Sequence, residues 1–112
     1  MPAAPEPAIR KIADWCEARV PAHLRDQVRV ELRSRGPAVT IIERRPPWSL
    51  GAGSHWSVQP IAQLRYDPIG HWTLHWVDGS DRWHAVDQVP PAADPADLLT
   101  VIDRNPNGVF WG

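Results

Sequence analysis

Three segments of alternating apolar and polar residues follow one another in residues 61–87, IAQLRYDPIGHWTLHWVDGSDRWHAVD. Such alternation over a few residues is typical of a β-strand with one buried face. The predicted strands are 61–66, 72–77 and 82–87. Residues 67–70 have Pro and Gly where a type I turn with a following bulge requires them, and residues 78–81 form a second turn. The stretch therefore predicts a three-stranded antiparallel meander.

A second hairpin is predicted upstream of this meander. Apolar and polar residues alternate in 28–33 and again in 39–44, with turn residues at 34–37 between them. Counting outward from that turn sets Leu32 opposite Val39. Five strands are thus predicted in two hairpin-linked groups.

Two helices flank the predicted strands. Apolar residues at helical spacing predict a helix over 7–20. Asp94 followed by Pro95 supplies the N-cap and the first position of a second helix, which ends near Arg104. The predicted fold class is α+β, an antiparallel five-stranded meander-like sheet with an N-terminal and a C-terminal helix packed on one face.

The 112 residues are expected to form a single domain, 1–112. Residues 1–6 are predicted to be disordered or extended. Residues 46–60 form a predicted loop that contains three prolines, Trp48 and Trp56. A loop of this length is unusual in a compact domain unless it has a function or is held by its own side chains.

Cysteine content and hydropathy suggest the cellular compartment. Cys16 is the single cysteine, so no internal disulfide is expected and the chain suits a reducing environment. The sequence contains no apolar run of about 18 residues that would span a membrane, and residues 1–7 lack the order of a signal peptide. We therefore expect a cytoplasmic protein that does not contact a membrane.

Tryptophan must supply much of the core, because the chain has seven Trp and only 25 Leu, Ile, Val and Phe. The first meander turn sets Tyr66 opposite Trp72, Leu64 opposite Leu74 and Gln63 opposite His75. A four-residue second turn sets Trp76 opposite Trp83 and His75 opposite His84. This register assigns Trp72, Trp76 and Trp83 to the core face and leaves Trp48, Trp56 and Trp111 as the residues that could face a partner.

The other face of the predicted sheet is polar and mostly basic. Its candidate binding residues, together with the loop tryptophans, are Arg29, Arg33, Arg44, Arg65, His75, His84, Trp48 and Trp56. The predicted cross-strand pair His75 and His84 could share a metal ion or an anion. Two histidines without a nearby carboxylate make a poor zinc site, so a solvated pair is the favoured interpretation.

No catalytic constellation is visible in the sequence. The serines lie in predicted loops or turns, and Cys16 lies on the apolar stripe of the first helix. Residues 51–53, GAG, do not join a strand to a helix in a dinucleotide-binding unit. We expect no catalytic residue, no cofactor and no metal, and the sequence leans against an enzyme.

Three functional hypotheses follow, in order of preference. The first is a non-catalytic binding module for a protein partner or for a second copy of itself. The alternative is single-stranded nucleic-acid binding through the basic sheet face and the loop tryptophans. The last is a small metal-assisted hydrolase that uses His75 and His84.

Five short motifs resemble a known family of small bacterial proteins, the family catalogued as domain of unknown function 3024. They are ERRPPW at 43–48, QLRYD at 63–67, WTLHW at 72–76, DRWH at 81–84 and NPNGVFWG at 105–112. Ser80 departs from the Asn-Gly type of turn common in that family. The resemblance covers about residues 23–112 and implies one compact domain from a bacterial protein. It implies no activity and no catalytic residue.

Overall fold

The computed structural model describes residues 3–47 and 55–111 and confirms the predicted fold class. The helices are α1 (Glu6–Arg19) and α2 (Pro95–Arg104), and the strands are β1 (Arg29–Arg35), β2 (Ala38–Arg45), β3 (Ser57–Tyr66), β4 (Trp72–Val77) and β5 (Trp83–Ala85). The strands form one antiparallel sheet in the order β1-β2-β3-β4-β5. The candidate binding residue Trp48 lies outside the described residues.

Both helices pack on the same face of the sheet. Helix α1 contacts β1, α2 contacts β3 and β4, and the two helices contact each other. Buried side chains from both helices and from this sheet face form one cluster, and its fully buried members include Ile12, Val39, Ile41, Leu64, Trp72, Leu98 and Ile102. The core is thus a single layer between the helices and one face of the sheet.

The predicted start of α2 is confirmed. The Asp94 side chain accepts a hydrogen bond from the backbone N–H of Ala96 at 2.9 Å, and Pro95 occupies the first helical position. The helix ends at Arg104, followed by Asn105 in the left-handed conformation with φ 48°. These local signals were sufficient because a cap depends on neighbours within a few residues.

A cluster of side chains joins the two helices. Arg19 of α1 forms an ion pair with Asp103 of α2, and its guanidinium lies over the rings of Trp15 and Trp111. Trp111 is half-buried and donates its indole N–H to the carbonyl oxygen of Ile102 at 3.0 Å. Trp111 therefore packs against the helices and stabilises the position of the residues next to it. This role differs from the contact with a partner that the sequence left open for Trp111.

The segment before α1 is packed against the rest of the protein. Pro5 has extended backbone angles, and the buried Ala4 donates its N–H to the carbonyl oxygen of Gly36 at 3.0 Å.

Within the described residues no helix is both long and apolar enough to cross a membrane.

The predicted loop 46–60 is wrong at its end, because β3 already begins at Ser57. Pro60 lies inside this strand, where the register shifts between Ile41 and Ile42 of β2. Ile41 faces Ala62 and Ile42 faces Pro60, so Ile61 is the additional residue of a β-bulge. A bulge is one of the few places where a sheet accommodates proline, which lacks the N–H of a regular ladder.

The predicted register of the first hairpin is wrong by two residues. Only Gly36 and Pro37 form the turn, so Leu32 faces Ile41 instead of Val39. Side chains alternate between faces with a period of two, and a shift of two residues therefore leaves every side chain on its predicted face. The β3–β4 register is confirmed, with Leu64 opposite Leu74 and Gln63 opposite His75.

The predicted register of the β4–β5 hairpin is wrong by one residue. Asp78 pairs with Arg82 through a backbone hydrogen bond of 2.9 Å, so only three residues connect them. The last of these, Asp81, has φ 61° and occupies the left-handed position that a glycine often fills in a bulged turn. Val77 consequently faces Trp83.

This one-residue shift reverses the faces of β5. Trp83 lies on the face opposite the helices, so its assignment to the core is wrong, and Ala85 lies on the same face. His84 lies on the helix side, where its ring stacks on Trp76 with centroids 4.9 Å apart. By the same alternation, Arg82 and Val86 lie on the helix side of the sheet, and Val86 packs against the core.

Asp81→Gly should raise the free energy of unfolding by about 0.5–1 kcal/mol, because glycine adopts positive φ without the steric cost that a Cβ brings. Urea unfolding monitored by tryptophan fluorescence measures the change. Ser80→Gly is the matched control: φ at Ser80 is not positive, so glycine there only adds unfolded-state entropy and should destabilise. Equal destabilisation by both substitutions would contradict the bulged turn.

Trp72→Ala should lower the free energy of unfolding by about 3–5 kcal/mol, because the Trp72 side chain is 1% exposed in the core. Trp83→Ala should cost only about 1–2 kcal/mol, since Trp83 is half-buried on the uncovered face. Urea denaturation with circular dichroism detection compares the two variants. The original core assignment of Trp83 predicts equal losses, and that result would contradict the register.

Candidate functional site

The sheet face opposite the helices is the candidate functional surface, and we call it the open face. Strand alternation and the observed register assign to it Arg29, Glu31, Arg33, Arg35, Thr40, Ile42, Arg44, Val58, Gln63, Arg65, Thr73, His75, Val77, Trp83 and Ala85. Of the predicted candidates, this surface brings together Arg29, Arg33, Arg44, Arg65 and His75, and Trp56 lies against two of these arginines.

The open face carries five arginines and one glutamate, although the whole chain has a net charge of −1. Glu31 lies 3.4 Å from the guanidinium of Arg44, which is a long ion pair between partly exposed side chains. In the part of the chain that the structure describes, the other four arginines have no carboxylate within 4.0 Å. They are Arg29, Arg33, Arg35 and Arg65. Positive charge is therefore concentrated on this surface.

Trp56 lies against the arginines at one end of the open face. The guanidinium carbon of Arg29 is 4.7 Å from the centre of the Trp56 ring, and that of Arg44 is 5.8 Å away. Both distances fall within the range of a cation–π interaction. Arg29 and Arg44 also face each other across β1 and β2, so Trp56 offsets part of the repulsion between them.

A row of polar residues crosses the middle of the open face. Arg33, Thr40, Gln63 and His75 face one another in turn from β1 to β4. Gln63 donates its amide to the Thr40 hydroxyl at 2.9 Å and accepts from Arg65 Nε at 2.7 Å. These bonds orient the Arg65 side chain along the surface.

His75 is a neutral member of this row near pH 7. Its side chain hydrogen bonds through Nε2 to the Thr73 hydroxyl at 2.9 Å, and the residue is 9% exposed. Burial, and after it the positive charge of Arg65, lowers the pKa of the imidazole from 6.5 to about 4. The charge of the open face therefore comes from arginine, while His75 contributes hydrogen-bonding atoms.

The predicted facing pair of His75 and His84 is wrong. His75 faces Ala85, and His84 lies on the opposite side of the sheet, where Nε2 hydrogen bonds to Asp78 Oδ2 at 2.6 Å. That bond, with those from the backbone N–H groups of Arg82 and Ser80, lowers the pKa of the Asp78 carboxyl. The two histidines cannot share a metal ion, and the described residues contain no group of three or more His, Cys, Asp or Glu arranged to hold one.

Two candidate binding residues of the open face, Arg35 and Trp83, were missed by sequence reasoning. Arg35 continues the alternation of β1, but the wider predicted turn placed it in a loop. Trp83 could have been found only from the true length of the second turn. A weak sequence signal for that length is the Asp that begins both turns. In the structure, the side chains of Asp67 and Asp78 each accept hydrogen bonds from the backbone N–H groups two and four residues ahead, so the two turns are of one kind.

Cys16 is not a candidate nucleophile. Its side chain is buried on α1 at 2% exposure. Burial raises the pKa of the thiol to about 12, with a further contribution from Glu31, so the reactive thiolate is not populated near pH 7.

Comparison with protein families identifies the chain. The model of the family described as Domain of unknown function (DUF3024) matches residues 1–112, and the chain belongs to this family. Comparisons with curated proteins and with solved structures find no match. The expected family is therefore confirmed over the whole chain, and the match assigns no activity.

His75 should make stability depend on pH between about 6.5 and 4. In this window the unfolded chain binds a proton that the folded protein excludes, so stability is complete above pH 6.5 and falls as the pH decreases toward 4. The loss should be on the order of 2–3 kcal/mol. His75→Gln should flatten this slope in urea unfolding at each pH, whereas the exposed His23→Gln should retain it. The lowered carboxyl pKa of Asp78 and Asp94 acts below this window.

A slope that persists in His75→Gln would contradict the buried, neutral histidine.

Proposed function

We propose that this member of the DUF3024 family is a non-catalytic binding domain whose ligand is single-stranded nucleic acid, bound on the open face. The observation that carries the proposal is a sheet face that neither helix covers and that combines two tryptophans with four arginines, none of which has a carboxylate partner among the described residues. Proteins that bind single strands combine a positive surface with aromatic side chains on which bases stack.

The arginines supply the contacts expected for phosphate. A guanidinium presents several N–H donors in a planar fork that matches phosphate oxygens, and it remains charged at any physiological pH. Arg33, Arg35 and Arg65 are exposed, so they reach a ligand without first breaking an ion pair among the described residues. Arg29 and Arg44 are held against Trp56 and border the same surface.

The tryptophans favour a single strand over a duplex. Trp56 lies over β1 and β2, and Trp83 lies on β5, so three to four strand spacings separate them. With neighbouring strands about 4.8 Å apart, this separation is roughly 14–19 Å across the sheet. A flexible single strand laid across the sheet can stack a base at each end, whereas the bases of a duplex are stacked on one another.

The polar row between the two tryptophans has groups suited to base edges. The half-buried side chains of Thr40 and Gln63 combine donors and acceptors on one surface, whereas His75 is buried beside them. They give a bound strand hydrogen bonds that do not depend on its charge.

An acidic protein is the other ligand that the arginines suit, and it matches the sequence expectation of a protein partner. Such a ligand needs the positive charge but has no requirement for base stacking on Trp56 and Trp83. The two tryptophans therefore favour nucleic acid, and the experiment separates the two ligands.

Titration of the protein with a single-stranded oligonucleotide of about 20 nucleotides should quench tryptophan fluorescence and weaken as salt increases. Arg33→Ala and Arg65→Ala should each weaken binding about threefold to tenfold and reduce the slope of log K against log salt by about one. Arg82→Ala is the matched control, because this exposed arginine lies on the helix side and should leave binding unchanged.

Polyglutamate and duplex DNA serve as competing ligands in the same titration. Polyglutamate that binds as tightly as the oligonucleotide would favour an acidic protein partner. An oligonucleotide that causes no quenching at low salt, where phosphate contacts are strongest, would rule the proposal out.

A further inference from the structure

Among the residues that the structure describes, strand β1 forms one edge of the sheet, and its seven residues have a strand partner on one side only. The opposite edge strand, β5, has three residues. In an antiparallel strand every second residue directs its backbone N–H and C=O away from its neighbour, so β1 presents a row of such groups outward. Short edge strands are one way in which proteins avoid pairing, and β1 is the long one.

A groove lies beside this edge, between β1 and the second half of α1. Its volume is about 500 Å³, and the four residues from Arg29 to Leu32 line it on the side of β1. Apolar side chains line much of the groove, among them Ala13, Val20, Val30 and Leu32. The groove therefore offers room and apolar contacts for side chains of a strand added at the edge.

We propose that the added strand is β1 of a second copy of this chain, paired antiparallel about a two-fold axis at Val30. Cross-strand partners then share a sheet face. Arg29 lies opposite Glu31 of the partner subunit, and by symmetry Glu31 lies opposite Arg29 of the partner subunit. Two valines meet at the axis on the helix side, beside the groove. Within β1 the pairing spans residues 29–31 and leaves residues 32–35 beyond it, and it joins the two five-stranded sheets into one sheet of ten strands.

The charges of β1 select this register, because they repel in the neighbouring ones. An axis at Glu31 would place two glutamates opposite each other and Arg29 opposite Arg33. An axis at Leu32 would pair Glu31 with Arg33 but would set Arg29 opposite Arg35 at both ends. Like charges directly opposite each other destabilise a strand pair. Of these three axes, only the one at Val30 sets both Arg29 and Glu31 opposite residues of opposite charge and not opposite residues of like charge.

The dimer leaves the open face of both copies on the same side of the ten-stranded sheet. It requires no nucleic acid to form, so it is independent of the proposed function and is tested in the absence of any ligand.

Light scattering after size-exclusion chromatography, over protein concentrations from about 1 to 500 μM, should show a monomer–dimer equilibrium. Arg29→Glu and Glu31→Arg should each weaken the dimer about tenfold or more, because each sets like charges opposite each other twice. The double variant with both changes restores opposite charges and should dimerise like the wild type.

Mixing the two single variants gives the sharpest readout. The pairs formed between the Arg29→Glu copy and the Glu31→Arg copy are again of opposite charge, so native mass spectrometry should detect the mixed dimer in preference to either homodimer. Arg82→Glu changes the net charge by the same amount as Arg29→Glu but lies beside β5, and it should dimerise normally. Circular dichroism confirms that each variant is folded.

A wild-type protein that is monomeric at every concentration would overturn the proposal. So would dimers that are indifferent to both charge reversals, or single variants that fail to form the mixed dimer. A dimer strengthened by Arg29→Glu would overturn the register, because it would indicate the axis at Leu32.

Discussion

Trp72, the first residue of β4, has its side chain 1% exposed in the core and lies against Tyr66 at a ring-centroid distance of 5.0 Å. The apolar layer around it is the constraint on which the rest of the molecule depends. The chain has few aliphatic residues for its length, and those it has are concentrated on one face of the sheet and on the facing sides of α1 and α2. A second apolar layer would need residues that the chain lacks, so the opposite face stays without a helix and is polar.

The sequence prediction placed a side chain on the correct sheet face when a turn length was miscounted by an even number of residues. It placed the side chain on the wrong face when the miscount was odd. Miscounting the turn at Gly36 by two residues paired Leu32 with the wrong neighbour but kept Arg29 and Arg33 on the open face. Miscounting the second meander turn by one residue moved Trp83 and His84 to the wrong sides. The arginines of the site were therefore predictable from alternation alone, whereas the histidine pair depended on a single residue in a turn.

The length of the second meander turn was not evident from the sequence, because Asp81 occupies its left-handed position. In the first meander turn Gly70 occupies the equivalent position with φ 91°, and its identity reveals the bulge. Aspartate tolerates this conformation at a modest cost but is common in many turns, so it gives no comparable signal. The bulge at Ile61 was hidden for a similar reason, since Pro60 reads as the end of a loop and its role inside β3 appears only when β2 is in place.

Glu31 is the one acidic residue among the described residues of the open face, and a carboxylate does not suit a surface for phosphate. Its carboxylate lies among arginines and is 3.4 Å from Arg44, a separation that provides little attraction between partly exposed groups. For nucleic-acid binding alone an uncharged residue would serve better at this position. Pairing of β1 with a second copy sets the Glu31 carboxylate opposite Arg29 of the partner subunit. It also excludes the registers in which arginines would lie directly opposite each other. Glu31 then determines the register in which two β1 strands pair, while the remaining arginines keep the open face positively charged.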